Sequence, residues 1–352
     1  VKRVFGNCRL VGRRFRLAHV LFGRDVIEVA TFRANHLPDD PGDDEHVPDD
    51  DDNASRHGDT GMILRDNVWG NVEQDAIRRD FTVNALYYNI DDFSVHDYVG
   101  GLKDLQKKRL RLIGDPETRF REDPVRMLRA ARFAAKLGFT IDDGTAKPIA
   151  RLKGMLRQVP PARLFDEVLK LLLAGYGRAS WDWLLRYRLD EELFPDAADA
   201  IRSDPAAQAF VLAALDNSDR RIHDGKTVTP AFLFAALLWP EVNRRYRLLL
   251  AEGVHEIAAM AQAGQDVLDA QCRTVAIPRR FSTPAREIWE MQLRLPRRGG
   301  RRAEAMLANP RFRAAFDFLL LREAAGALAG EPADSYDEQL GRWWDEFQHA
   351  DE

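Results

Sequence analysis

The stretch 115-DPETRFREDPVRMLRAARFAAKLG-138 divides the chain. Asp123 is an N-cap residue type, Pro124 follows at the first helical position, and Gly138 ends the run. These signals predict a helix from 123–124 to 138. Upstream, "FRLAHVLF" (15–22) and "VIEVATF" (26–32) are rich in β-branched and aromatic residues. They flank Gly23-Arg24-Asp25, read as a three-residue hairpin connection, and the simplest register sets Val20 opposite Glu28. "NVEQDAIRRDFTVNALYYNI" (71–90) reads as helix in its first part, and "FSVHDYVGG" (93–101) as strand then turn. From about residue 148 onward only helices are predicted, for example at 161–177, 230–242, 254–272 and 312–330. Strands early and helices late make the fold class α+β, a small sheet-bearing head before a long helical body.

The chain has 352 residues, 45% of them hydrophobic and 31% charged, which suits two or three domains with sizeable cores. No run of about 18 apolar residues predicts a membrane span. Two cysteines far apart, Cys8 and Cys272, argue against a disulfide framework and for a reducing, cytoplasmic setting. The formal net charge of −4 conceals local extremes. Residues 37–52, "LPDDPGDDEHVPDDDD", hold nine acids and no Lys or Arg, and predict a solvated loop within an acidic insert, 37–60. Residues 279–302 hold eight arginines against Glu287 and Glu290.

Four constellations could carry chemistry. Glu28 stands alone in an apolar strand, so it either faces water or ligates a hard cation with companion carboxylates from elsewhere. In "RRDFTVNALYY" (78–88), Asp80 and Asn84 would share a helical face, with Arg78 and Arg79 just before them. Such a set could serve a triphosphate, a ribose hydroxyl and a metal, or could be a surface salt-bridge cluster. Arg126, Arg129 and Arg132 recur every third residue, which predicts one basic stripe behind Glu122 and Asp123. Asp123 accepting and Arg126 donating could read a base edge, or simply pair along the helix. Finally Arg279, Arg280, Arg294, Arg297, Arg298, Arg301 and Arg302, with Phe281 and Trp289 interleaved, suit single-stranded RNA or a solvated basic face. The His-Asp pair in "IHDG" (222–225) has no second ligand set and reads as structural.

"RRDFTVNALYY" and 97-DYVGGLKDLQKKRLRLIGDPETRFREDPVRMLRAARFAAKLG-138 resemble consecutive motifs of the class II nucleotidyltransferases. "NCRLVGRRFRLAHV" and "PPARLFDEVLKLLLAGYG" resemble the bacterial poly(A) polymerase branch rather than the CCA-adding branch. The resemblance implies a partial nucleotidyltransferase head (1–113), a helical neck (114–175) and a helical RNA-binding body (176–352). It implies transfer of AMP from ATP to RNA 3′ ends without a template, with two Mg²⁺ ions, by a monomer. Carried over, Glu28 is a metal carboxylate and Asp80 the acid of the second motif. Arg78 and Arg79 bind the triphosphate, Asn84 lies beside them, and Asp123, Arg126 and Arg129 face the nucleotide. A CCA-adding enzyme and a non-catalytic RNA-binding relative are the competing readings.

One departure stands out. The family's G-G-x-V-R-D turn and D-x-D strand are not found, and the resemblance places them before Val1. The expectation is an N-terminally truncated chain, nearly inactive as written, with Glu28's partner carboxylates outside it.

Overall fold

The sheet is built on a tight turn. Strands β1 (Cys8–Val11), β2 (Leu17–Phe22) and β3 (Asp25–Val29) form an antiparallel sheet in the order β1-β2-β3. The β2–β3 connection is two residues, Gly23-Arg24, because Asp25 already pairs with Phe22. Gly23 has φ +61°, the positive value that a two-residue turn of this kind requires. The shorter turn moves the expected register by one: Glu28 faces His19, and Val20 faces Ile27. Ala18 and Val20 pack with Cys8 and Val29 in a small core, so Glu28 lies on the opposite face.

The computed structural model describes residues 1–11, 17–34, 56–57, 63–65, 68–299, 301–326 and 340–349. The acidic stretch 37–52 lies outside the described residues. The chain divides into two compact units, residues 1–130 with 137–152, and residues 131–136 with 153–352.

In the first unit, helix α1 (Val72–Arg78) is closed by a capping box between Asn71 and Gln74. The helical face expected to carry Asp80 and Asn84 does not form. After Arg78 the chain extends, makes one 3₁₀ turn at Thr82–Asn84, and enters the strand Leu86–Tyr88. Tertiary pairing is the reason. Phe81 is fully buried and bridges Leu112, the Thr82 N–H donates to Arg111 O, and the Ile113 N–H donates to Asp80 O. Leu86–Tyr88 pairs with Val95–Asp97, and the Asp97 carboxylate accepts from the N–H groups of Val99, Gly100, Gly101 and Leu102. That fixes the start of α2 (Gly101–Gln106), where the sequence had suggested only a turn. Position 101 must be glycine: a Cβ there would sit 2.3 Å from Thr82 O. Helices α3 (Pro116–Glu122) and α4 (Val125–Leu137) follow, and Gly138 ends α4 with φ +64°.

Among its described residues the second unit is helical from Lys153 onward, as the sequence suggests. Helices starting at Pro161, Pro195, Pro205 and Pro230 each place proline in the first turn, where the missing N–H costs nothing. The core centres on Phe318, with Phe210 at 5.0 Å, Trp239 at 5.5 Å and Phe232 at 6.3 Å between ring centroids, all edge-on. Phe318→Ala is expected to destabilise this unit by about 3–5 kcal/mol. A denaturant midpoint shift at unchanged slope measures it. No helix of the described residues is long and apolar enough to cross a membrane.

Candidate active site

The site in the first unit is organised by an acid that sequence reading passed over. Asp75, 3% exposed, sits one turn before the Arg78–Arg79 pair on α1. Its carboxylate accepts from the Arg33 N–H at 3.2 Å, Arg78 Nε at 3.0 Å, Arg79 Nε and Nη2 at 3.2 Å, and Tyr87 Oη at 2.7 Å. Burial works against its charge, but the Tyr87 hydrogen bond and the two guanidiniums outweigh that and hold its carboxyl below the usual range. Tyr87 responds in the opposite sense. Burial and its bond to Asp75 push the phenol up to about 12. Arg79 also donates Nε to Tyr87 Oη at 3.0 Å and Nη1 to Asn84 O at 3.2 Å. All three of its nitrogens are engaged within the protein, so its charge is fixed in place.

Asp80 is held just as firmly. Its Oδ1 accepts from the Phe81 N–H at 2.9 Å and Asn84 Nδ2 at 3.0 Å. Its Oδ2 takes a bidentate guanidinium from Arg129, Nε at 2.6 Å and Nη2 at 2.5 Å. Asp80 and Asn84 therefore meet as expected, through the 3₁₀ turn rather than a helix.

A second missed residue, Arg119 of α3, is 5% exposed and donates Nη2 to the carbonyls of Arg78 and Arg79 at 2.7 and 2.6 Å. Its Nη1 pairs with Glu122 at 2.9 Å. Burial, then the neighbouring Arg126 charge, lowers its pKa. Arg126 donates Nη1 to the same Glu122 oxygen at 2.7 Å and to Arg119 O at 2.6 Å. The expected open stripe on α4 is thus subdivided. Arg126 is 8% exposed and turned to Glu122, Arg129 grips Asp80, and Arg132 lies 4.5 Å over the Phe133 ring. Asp123 ends α3 and accepts from the Val125 N–H at 3.2 Å, which starts α4 as its N-cap character suggested. Of the missed residues, Asp75 had a signal in its i, i+3 and i, i+4 spacing to Arg78 and Arg79. Arg119 reaches across 40 residues and had none.

Glu28 faces solvent, with its side chain 62% exposed and His19 Nε2 at 3.2 Å from Oε1. Among the described residues no three acids, histidines or cysteines gather as a metal site.

In the second unit the arginines of 279–302 spread over several surfaces. Arg294, Arg297 and Arg302 border a cleft of about 390 Å³ with Met291 and Met306, and Arg297 pairs with Glu256. Arg279 borders another cleft, Arg280 a third, Arg298 lies 5.3 Å over Trp343, and Arg301 is exposed. Trp289 cannot stack on a base as expected. It is fully buried, and its Nε1 donates to Ala235 O at 3.0 Å. Phe281 is half-buried and stacks on Phe165 at 5.9 Å.

Three family models match in chain order: "Poly A polymerase head domain" at 1–111, "Probable RNA and SrmB- binding site of polymerase A" at 138–201 and "Polymerase A arginine-rich C-terminus" at 252–352. A protein named poly(A) polymerase I from Escherichia coli O6:H1 is 50% identical over 351 residues, covering 99% of this chain and 72% of that one. Its namesake from Haemophilus influenzae is 47% identical over 98% of this chain and 73% of its own length. A CCA-adding enzyme of Bacillus subtilis is 36% identical over only 55% of this chain and 44% of its own. Among solved structures, a tRNA nucleotidyltransferase complexed with a primer tRNA and an incoming ATP analog matches with a TM-score of 0.59 at 21% identity, covering 99% of this chain and 86% of that one. That likeness shows the shared α+β nucleotidyltransferase fold. By its identity over nearly the whole chain, the protein belongs to the bacterial poly(A) polymerase I family.

Proposed function

We propose that this enzyme adds AMP from ATP to RNA 3′ ends without a template. The observation that carries the reading is the interlocked cluster in the first unit. Five guanidiniums (Arg78, Arg79, Arg119, Arg126, Arg129) close on three carboxylates (Asp75, Asp80, Glu122), leaving surplus positive charge already oriented. Fixed cations in a partly water-excluded site suit a polyphosphate whose charge shifts during transfer. The RNA 3′-hydroxyl gives up its proton to water as its oxygen bonds to the α-phosphorus, the bond from that phosphorus to the α–β bridging oxygen breaks, and pyrophosphate leaves with that bond's electron pair.

In this reading Arg78, Arg79 and Arg129 supply charge to the triphosphate. Asp80 and Asn84 position Arg129 and the sugar, and Asp123 with Arg126 faces the adenine edge. Arg279, Arg280, Arg294, Arg297, Arg298, Arg301 and Arg302 contact RNA phosphates. The head (1–113), neck (114–175) and body (176–352) divide the work accordingly. Mg²⁺ belongs to the same reading, with Glu28 as one ligand. Mg²⁺ binds through carboxylates and substrate phosphates in strict geometry, whereas among the described residues no three acids, histidines or cysteines gather, and Glu28 is exposed beside His19. They do not form a cage, so no step here passes through the metal. The free thiols Cys8 and Cys272 suit a reducing compartment, the bacterial cytoplasm.

The test is nucleotide choice. Protein expressed from its complete natural reading frame, with Mg²⁺, is expected to extend an oligo(A) primer with ATP. It should add little CMP to a tRNA lacking its CCA end. Rapid CMP addition to that tRNA would overturn the reading.

A further inference from the structure

A cleft of about 360 Å³ lies within the helical unit, and of its lining only Arg280 has been given a role above. Its walls come from the helices Pro205–His223, Pro230–Ala251, Arg279–Gln292 and Phe312–Ala324. Four arginines line it (Arg221, Arg280, Arg311 and Arg313) against one acid, Asp317. Asp317 is already shared, 3.8 Å from Arg221 and 3.1 Å from Arg313. Arg311 pairs with Glu287 at 2.8 Å. Arg280 has no carboxylate partner among the described residues. Its guanidinium lies 4.9 Å over the Phe281 ring, which stacks on Phe165 in turn. A guanidinium held by its face keeps its N–H edge for an anion.

The rest of the lining is different in kind. Val228, Phe232, Phe281 and Ile288 are apolar, and Asn217 and Ser218 add small polar groups. The volume is at the low end of the range of about 300–1,000 Å³ for small-ligand sites. A surplus of guanidinium on one side and an apolar wall on the other call for a ligand with a phosphate and a flat ring. Inorganic phosphate alone would use only half of the lining.

We propose that this cleft binds one phosphate-bearing nucleotide, its phosphate on Arg280 and Arg313 and its base against the half-buried Val228 and Phe281. The cleft is lined by residues of the second unit alone; it deepens the RNA role proposed above for Arg280 and does not depend on the reaction assigned to the first unit. The ligand has two sources, one residue of a single-stranded RNA or a free mononucleotide.

Photolabelling tests it on the whole protein. The probes are 8-azido-AMP and an oligo(A) carrying one 8-azidoadenosine, with cross-linked peptides mapped by mass spectrometry. Label is expected within 217–233 or 280–288. Ala314→Trp fills the cleft without changing its charge and should cut that label at least about tenfold at an unchanged melting temperature. The double variant Arg280→Glu with Arg313→Glu should weaken binding of the labelling probe about tenfold or more and lower its salt slope by roughly 2. Arg342→Glu, on the exposed face of the helix Leu340–Gln348, should change neither. Label from the oligonucleotide alone assigns the site to RNA, and label from 8-azido-AMP alone to free nucleotide. Either supports the proposal. No label in these peptides, or label that persists in Ala314→Trp, overturns it. Should that variant fail to fold, an unchanged affinity in the charge-reversed pair overturns it as well.

Discussion

Asp80→Asn will lower kcat/KM for ATP by about 10²–10³-fold while costing only about 1–3 kcal/mol of stability. Asparagine keeps the shape but turns one acceptor into a donor. At Asp80 both oxygens are committed, Oδ1 to Phe81 N–H and Asn84, Oδ2 to both arms of the Arg129 fork. An amide N–H placed at either oxygen faces another donor, and Arg129 swings away. The loss should therefore be one of positioning, shared between the two residues. Arg129→Lys retains charge but cannot make the bidentate contact, and it should recover little. The double variant decides the matter. If Asp80 acts through Arg129, Asp80→Asn with Arg129→Lys is no slower than the worse single change. Losses that multiply would mean that the two residues act independently, and the proposed coupling would be wrong.

That coupling also shows what a sequence discloses. The motif "RRDFTVNALYY" places Asp80 and Asn84 four apart, and they do meet at 3.0 Å. They meet for a different reason from the one the spacing suggests. A helix through 78–88 would have exposed Phe81 on one side or another. The chain instead breaks at Arg79 so that Phe81 can be fully buried and pair with Leu112. Burial of an aromatic ring outweighs the modest helical preference of this run. The helices of the second unit were legible because proline caps and apolar periodicity are local signals. Arg119, bonded to the carbonyls of Arg78 and Arg79, was not, because only the tertiary fold brings residues 40 apart together. Trp289 failed in the opposite way. Flanking arginines made it look like a stacking platform, yet its neighbour Gly264 leaves just enough room for the ring, with a virtual Cβ 3.1 Å from it. The one-residue error at Glu28 came from turn length. A two-residue turn rather than three exchanged Val20 for His19 opposite it.

Asp75→Ala is expected to destabilise the head by about 3–5 kcal/mol, because it strands partly buried guanidiniums without their counter-charge. Asp75 binds four residues at once and joins α1 to the strand Leu86–Tyr88 through Tyr87 and to Arg33 through its backbone. The pH dependence separates this from a simple cavity. The carboxyl of Asp75 titrates below its ordinary value of 3.8 in the folded head. Its contribution is therefore complete above that value and disappears as pH falls through the lower folded one. Tyr87 titrates near 12 rather than 10.0. Its contribution is complete below 10.0 and is lost as pH rises toward 12. Hydrogen exchange of the amides in Val72–Tyr88, compared between the parent and Asp75→Ala, isolates the head from the helical unit. The difference should be flat in the neutral range and should narrow at both the acid and the alkaline ends. A difference that stays constant through the acid end would mean that packing alone, and not the ionised carboxylate, holds Arg78 and Arg79 in place. In the proposed reading, the same carboxylate that stabilises the head also holds in place the two guanidiniums assigned to the triphosphate. Stability and nucleotide affinity should then fall together in Asp75→Ala, while Asp80→Asn loses activity with most of its stability retained.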